Sequence, residues 1–303
     1  MGQLRTGCPK KFAIQKLMNY RTWEESEASM TGSILHEAWQ LYLHTRDIAQ
    51  AENHLVMNFN LKWQKSAYAT RSLYGVLTSL STLITWTDKY IFPFYDLAYL
   101  ADGSPATEVK FQINIDGFNL SQDDANPIAI GYIGFIDAVL VAKNNGNFIA
   151  FDLKTSTETS YYGEIKYAHS GQVLPYGLVL EQILGHTENA NWNSLGFNIH
   201  YLELVIDYLE PAVYDYPFYK TQKDITKWGK DLILSLTNLK FYLAEGFFPE
   251  RDSACIAWNK PCRYQMECDI KSLQSLIDQV GKSEIEEAEV FKPYITTSIK
   301  YGV

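Results

Sequence analysis

Apolar and polar positions alternate strictly near residue 110. Val109, Phe111, Ile113 and Ile115 are interleaved with Glu108, Lys110, Gln112 and Asn114, a period of two that predicts a half-buried strand. Before it the period is helical. Residues 9–22 and 31–47 read as helices, and Leu73, Val76, Leu77, Leu80, Leu83 and Ile84 continue a helix-rich stretch to about residue 100. After it come two apolar runs around Asn145-Gly146, then a helix over 170–184. The apolar strand "LGFNIHYLELVI" (195–206) and a long helix over 222–245 follow. A cysteine-rich loop, 250–268, leads to a short helix near 269–279 and a loosely ordered end. Three strands, a helix and a strand, with helices on either side, make an α/β or α+β core carrying helical additions.

The hairpin "FIDAVLVAKNNGNFIAFDLKTS" (135–156) is too apolar to carry Asp137, Asp152 and Lys154 without a reason, because buried charges are paired or bind metal. Asn145-Gly146 suits a two-residue type I′ turn. That turn sets Asp137 directly opposite Lys154, with Asp152 on the diagonal, and gathers all three on one face. A surface ion pair and a divalent-cation site both fit this geometry. Carboxylate and carbonyl oxygens, here including the Leu153 carbonyl, are what a hard cation takes.

Composition narrows the class. With 47% hydrophobic and 20% charged residues in a chain of 303, the protein is expected to be globular and cytoplasmic, with no membrane partner and no apolar run of membrane-spanning length. The net charge of −9 excludes a surface coated in positive charge for nucleic acid, not a local basic site. Arg5, Lys10, Lys11, Lys16 and Arg21 stand in a first segment with no acid.

Several short motifs fall in a fixed order. "GSILHEAW" puts His36 on a helix, "EVKFQI" supplies Glu108, "GYIGFIDAVL" supplies Asp137, "FDLKTS" gives Asp152 and Lys154, and "SGQVLPYGLVL" gives Gln172 and Tyr176. Gln40 stands where a zinc-protease helix needs its second histidine, which excludes that reading. Together the motifs resemble the RecB-like branch of the PD-(D/E)XK nuclease superfamily. The resemblance implies a restriction-endonuclease-like core with a central mixed sheet flanked by helices. It implies Mg²⁺ or Mn²⁺ held by His36, Asp137, Asp152 and the Leu153 carbonyl, with Lys154 acting on the attacking water. Gln172 and Tyr176, four apart, would share one helix face turned to the active site or to DNA, with Pro175 bending that helix.

Cys8 stands near one end, and Cys255, Cys262 and Cys268 near the other. This split resembles the nucleases of the same branch, AddB-type and CRISPR-adaptation, in which four cysteines hold a 4Fe–4S cluster that ties the ends together. The C-x6-C-x5-C spacing departs from that group's shorter first interval and leaves zinc as the alternative.

The expected organisation is a single composite domain. It comprises a helical region with Cys8 and His36 (1–105), a nuclease core (106–220), a helix and cysteine segment (221–280) and a tail (281–303). The resemblance implies a DNA exonuclease acting on ends or single strands in recombination, repair or phage DNA processing. Its setting would be a prokaryotic or phage-infected host cytosol, with a separate helicase, recombinase or single-strand-binding protein as partner, since no P-loop motif is present. The alternatives are a non-catalytic DNA-end-binding scaffold of the same fold and an RNA nuclease.

Overall fold

A computed structural model describes residues 8–14, 27–63, 72–120, 129–157, 163–184, 196–206, 210–250, 255–257, 260–262 and 293–300. In chain order the helices are α1 (Pro9–Phe12), α2 (Glu27–Thr45), α3 (Ile48–Trp63) and α4 (Leu73–Tyr90), then α5 (Gly163–Ala168), α6 (Tyr176–Leu184) and α7 (Gln222–Glu245). The main strands are β1 (Tyr95–Leu97), β2 (Thr107–Asp116), β3 (Gly131–Ala142), β4 (Phe148–Ser156), β5 (Gly196–Val205) and β6 (Ala212–Thr221). Strands β7 (Ile256–Ala257) and β8 (Lys260–Pro261) form a small hairpin, and β9 (Ile295–Lys300) closes the order.

Seven strands make one mixed sheet in the order β6-β5-β4-β3-β2-β9, with β1 beside β3. The β4–β5 and β2–β9 pairs are parallel and the others antiparallel. This is the expected mixed sheet between helical layers. One face packs on α2, α3 and α4 through Leu35, Trp39, Leu55 and Leu80. The other packs on α6 and α7 through Tyr176, Val179, Trp228 and Leu232. The long helix α7 is as read from the sequence. Thr221 and Asp224 cap each other at its start, and Gly246 ends it in the left-handed conformation.

Three readings change. The β3–β4 loop runs over residues 143–147, closed by Ala142 N–H to Asn147 O at 2.8 Å and Gly146 N–H to Ala142 O at 2.8 Å, with Gly146 at φ +72°. The ladder therefore pairs Ala138 with Phe151 and Val139 with Ala150, two residues away from the expected register. A slip of two keeps each side chain on its face, but Asp137 now comes level with Asp152 instead of Lys154. The 170–184 helix begins only at Tyr176. Residues 173–178 form a run of three-residue turns, with Tyr176 N–H to Val173 O and Leu178 N–H to Pro175 O, so Pro175 starts the helix and does not bend it. Part of the end expected to be loose is β9, paired to β2 from Phe111–Ile295 to Asp116–Lys300.

Candidate active site

The site lies where the sheet splits. β3 and β4 pair over only four residues, ending at Ala138–Phe151. Beyond that point β3 stays with β2 and β4 stays with β5. Asp137 is the first β3 residue past the split, and Asp152, Leu153 and Lys154 are the first of β4. Opposite Asp137, Glu108 takes φ +47°, a left-handed value rare for a residue with a long side chain. Side-chain alternation reverses here. Ile136 packs in one core and Ala138, two residues on, packs in the other. Distorted backbone on both strands turns Glu108 and Asp137 into the gap.

The gap opens as a cleft of about 370 Å³ walled by His36, Glu37 and Gln40 of α2, Glu108, Asp137, and Leu153 to Thr155. Helix α2 reaches it because Gly32 carries no side chain: a Cβ there would lie 2.8 Å from Thr155 Oγ1. That close approach brings His36 Nδ1 to 3.5 Å from Asp137 Oδ2, and the Gln40 amide donates to the Asp137 carbonyl at 3.4 Å.

The two carboxylates are held differently. Asp137 Oδ2 accepts the Leu153 backbone N–H across the split at 2.8 Å. Asp152, 1% exposed, lies behind the cleft wall. Tyr176 donates its hydroxyl to Asp152 Oδ1 at 3.2 Å, and the Lys154 ammonium sits 2.5 Å from Oδ2. That last contact is a buried ion pair and the only neighbour of Oδ2 among the described hydrogen-bonding groups. Burial sets the proton affinities. It pushes the Asp137 carboxyl up to about 6, with Lys154 opposing, and raises Asp152 against the same lysine. Burial and then Lys154 push His36 down to about 4, which keeps its imidazole neutral at ordinary pH.

Of the sequence-predicted residues, His36, Asp137, Asp152, Leu153, Lys154 and Tyr176 come together. Gln172 does not share a helix face with Tyr176. It lies exposed in the turn before α6, its N–H 3.4 Å from Ser170 Oγ. Among the described residues no group of three or more His, Cys, Asp or Glu side chains is arranged to hold a metal ion. The donors present, two carboxylates and a neutral imidazole beside a backbone carbonyl, suit Mg²⁺ or Mn²⁺ in kind. The buried Asp152 oxygen without an aligned donor is the atom such an ion would satisfy, once Lys154 leaves it.

Cys8 is buried at the N-terminal end of α1 without a side-chain capping bond, its thiol 4.0 Å from the Pro249 carbonyl. Lys10 N–H reaches the same carbonyl at 3.3 Å, and its ammonium pairs with Glu250 at 2.5 Å. Lys10 is thereby tied to the protein's own acid. Cys255 and Cys262 face each other across β7–β8, with Cys262 N–H to Cys255 O at 2.6 Å. Cys268 and Lys16 lie outside the described residues.

Sequence reasoning missed Glu203, which pairs in register with Lys154 from β5 and is fully buried. The signal was a lone acid inside an apolar strand, the same anomaly that singled out the hairpin.

No helix among the described residues is long and apolar enough to cross a membrane. No protein-family profile matches the chain, and no curated protein matches it. Among solved structures, it is similar to a "Putative exonuclease" from Eubacterium rectale at 13% identity, over 89% of this chain and 91% of that one, with a TM-score of 0.43. It is also similar to the protein SSO0001 at 13% identity, over 74% of this chain and 85% of that one, with a TM-score of 0.27. The chemistry of the cleft therefore rests on this chain's own residues.

Proposed function

We propose that this protein is a Mg²⁺- or Mn²⁺-dependent DNA nuclease of the PD-(D/E)XK type, acting as an exonuclease on ends or single strands. The observation that carries the reading is the sheet split, which sets Asp137 and Lys154 on one gap facing His36 from α2, with Asp152 directly behind them against Lys154. A divalent ion held by His36, Asp137, Asp152 and the Leu153 carbonyl would polarise the scissile phosphate and acidify water. Lys154, half-buried on the cleft wall, would then orient the attacking water and offset charge on the phosphorus. The Tyr176 hydroxyl fixes Asp152 by one oxygen, and the Leu153 N–H fixes Asp137. The four cysteines would hold a 4Fe–4S cluster, with zinc as the alternative, joining the cysteine segment to the α1 segment, where Lys10 N–H already meets the Pro249 carbonyl.

Incubating the protein with end-labelled single- and double-stranded DNA and RNA, in Mg²⁺, Mn²⁺ or EDTA, tests this. The expected result is metal-dependent loss of DNA from free ends, absent in EDTA and on substrates with both ends blocked. Full activity in Asp152→Ala would sink the nuclease reading. Binding of DNA ends without cleavage would favour the scaffold alternative. Iron and acid-labile sulfide after anaerobic purification support the cluster, and zinc alone removes it.

A further inference from the structure

The five buried side-chain polar atoms that lack an aligned hydrogen bond among the described residues belong to Asp152, Ser156, Tyr201 and Glu203. All sit on one face of two adjacent parallel strands, since Asp152 pairs in register with Tyr201 and Lys154 with Glu203. Glu203 is the most exposed to this shortfall. Both its oxygens lack an aligned donor, and its nearest cation, Lys166 of α5, stands 3.7 Å away on a half-exposed side chain. Burial first, then the charge of Glu203 and contact with it at hydrogen-bonding range, make the Tyr167 and Tyr216 hydroxyls less acidic, so two phenols share the surroundings of this carboxylate with Lys166. A carboxylate this deep costs several kcal/mol unless a partner answers it.

Lys154 stands between two such carboxylates. Asp152 is two residues before it on its own strand, and Glu203 is its register neighbour, one strand spacing of about 4.8 Å away. The lysine reaches Asp152 in this structure and so occupies the oxygen a divalent ion requires. Its flexible four-carbon stem spans the alternative.

We propose that Glu203 is a positioning residue that receives the Lys154 ammonium when Asp152 turns to a divalent ion, which rests on the nuclease reading above. Glu203 makes no contact with the ion or the substrate. It acts by giving Lys154 a second place to stand, at the cleft wall and clear of the Asp152 oxygen.

A double-mutant cycle read by Mn²⁺ titration calorimetry on the full chain tests this. With Lys154 present, Glu203→Gln is expected to weaken Mn²⁺ binding roughly tenfold, because the lysine then stays on Asp152. In a Lys154→Met background the same substitution is expected to change Mn²⁺ affinity by less than about twofold. Glu203→Asp, which keeps the charge on a shorter arm, should restore most of the loss and decides the matter if Glu203→Gln does not fold. Equal weakening in both backgrounds would overturn the proposal, since Glu203 would then act on the ion directly or on the fold. No weakening in either would overturn it as well. A wild-type chain that binds no Mn²⁺ would instead remove the nuclease reading on which the proposal stands.

Discussion

The two wings of the sheet meet at the split, and each delivers one carboxylate by a different device. On the β2–β3 wing, Asp137 is fixed by backbone. It takes a main-chain N–H from Leu153, and the left-handed Glu108 opposite turns the strand. On the β4–β5 wing, Asp152 is fixed by side chains alone, Tyr176 and Lys154. Backbone-held groups follow the fold and change little while the sheet stands. Side-chain-held groups can be re-partnered one residue at a time. The acid nearer the cleft is therefore the rigid one, and the buried acid is the adjustable one.

The largest expected effect comes from the adjustable side. Asp152→Asn should lower the DNA cleavage rate about a thousandfold while leaving the melting temperature closer to wild type than Asp152→Ala does, because the amide oxygen still accepts from Tyr176. Steady-state kinetics and a thermal melt check both halves. The next effect tests the rigid side. Gly32→Val forces α2 away from Thr155 and should cost about 1–3 kcal/mol in urea unfolding, carrying His36 away from Asp137. Tyr176→Phe comes third, removing one donor to a buried carboxylate at a cost of about 1–2 kcal/mol. Its melt should respond to Asp152→Asn in the same chain, since the two act through one contact.

The smallest effect is a slope in pH, measured without metal. Asp137 is raised from 3.8 to about 6. The stability tied to its protonated form is present below 3.8 and is lost as pH rises through about 6. His36 is lowered from 6.5 to about 4, so its contribution is present above 6.5 and is lost as pH falls through about 4. The two slopes oppose each other across one window. Asp137→Asn should tilt stability upward with pH between 4 and 6.5, and His36→Gln should tilt it downward. Identical slopes in both variants would break the contrast between the groups.

Much of the architecture was legible because period-two and helical patterns are local. The α7 and β5 ranges, and the charges of the hairpin, follow from residues close in sequence. What failed was set elsewhere. Asn145-Gly146 satisfies a tight turn, yet it closes a five-residue loop, and the Ala142–Asn147 bond that fixes this is invisible in composition. Pro175 reads as a kink inside a helix, but the turns before it end at Tyr176. Strand β6, with Tyr214 and Tyr219 exposed and Lys220 its one buried residue, shows too little apolar contrast to be read as a strand. The hairpin charges, His36 and Tyr176 were legible as neighbours and Gln172 was not, while Asp152's retreat behind the cleft wall and Glu203's place beside Lys154 depend on the parallel β4–β5 register. That register joins strands separated by two helices.

One feature of the fold also governs how the chain must be handled. Strand β9 pairs in parallel along β2 from Phe111 to Asp116, although well over a hundred residues separate the two strands. Without it, β2 would open the six residues from Phe111 to Asp116 as a margin of alternating free amides and carbonyls, a template for another chain. A strand made late is thus a guard for an early one. A chain still growing or cut before Ile295 carries a sticky border, and its yield in soluble form should depend on keeping those six residues.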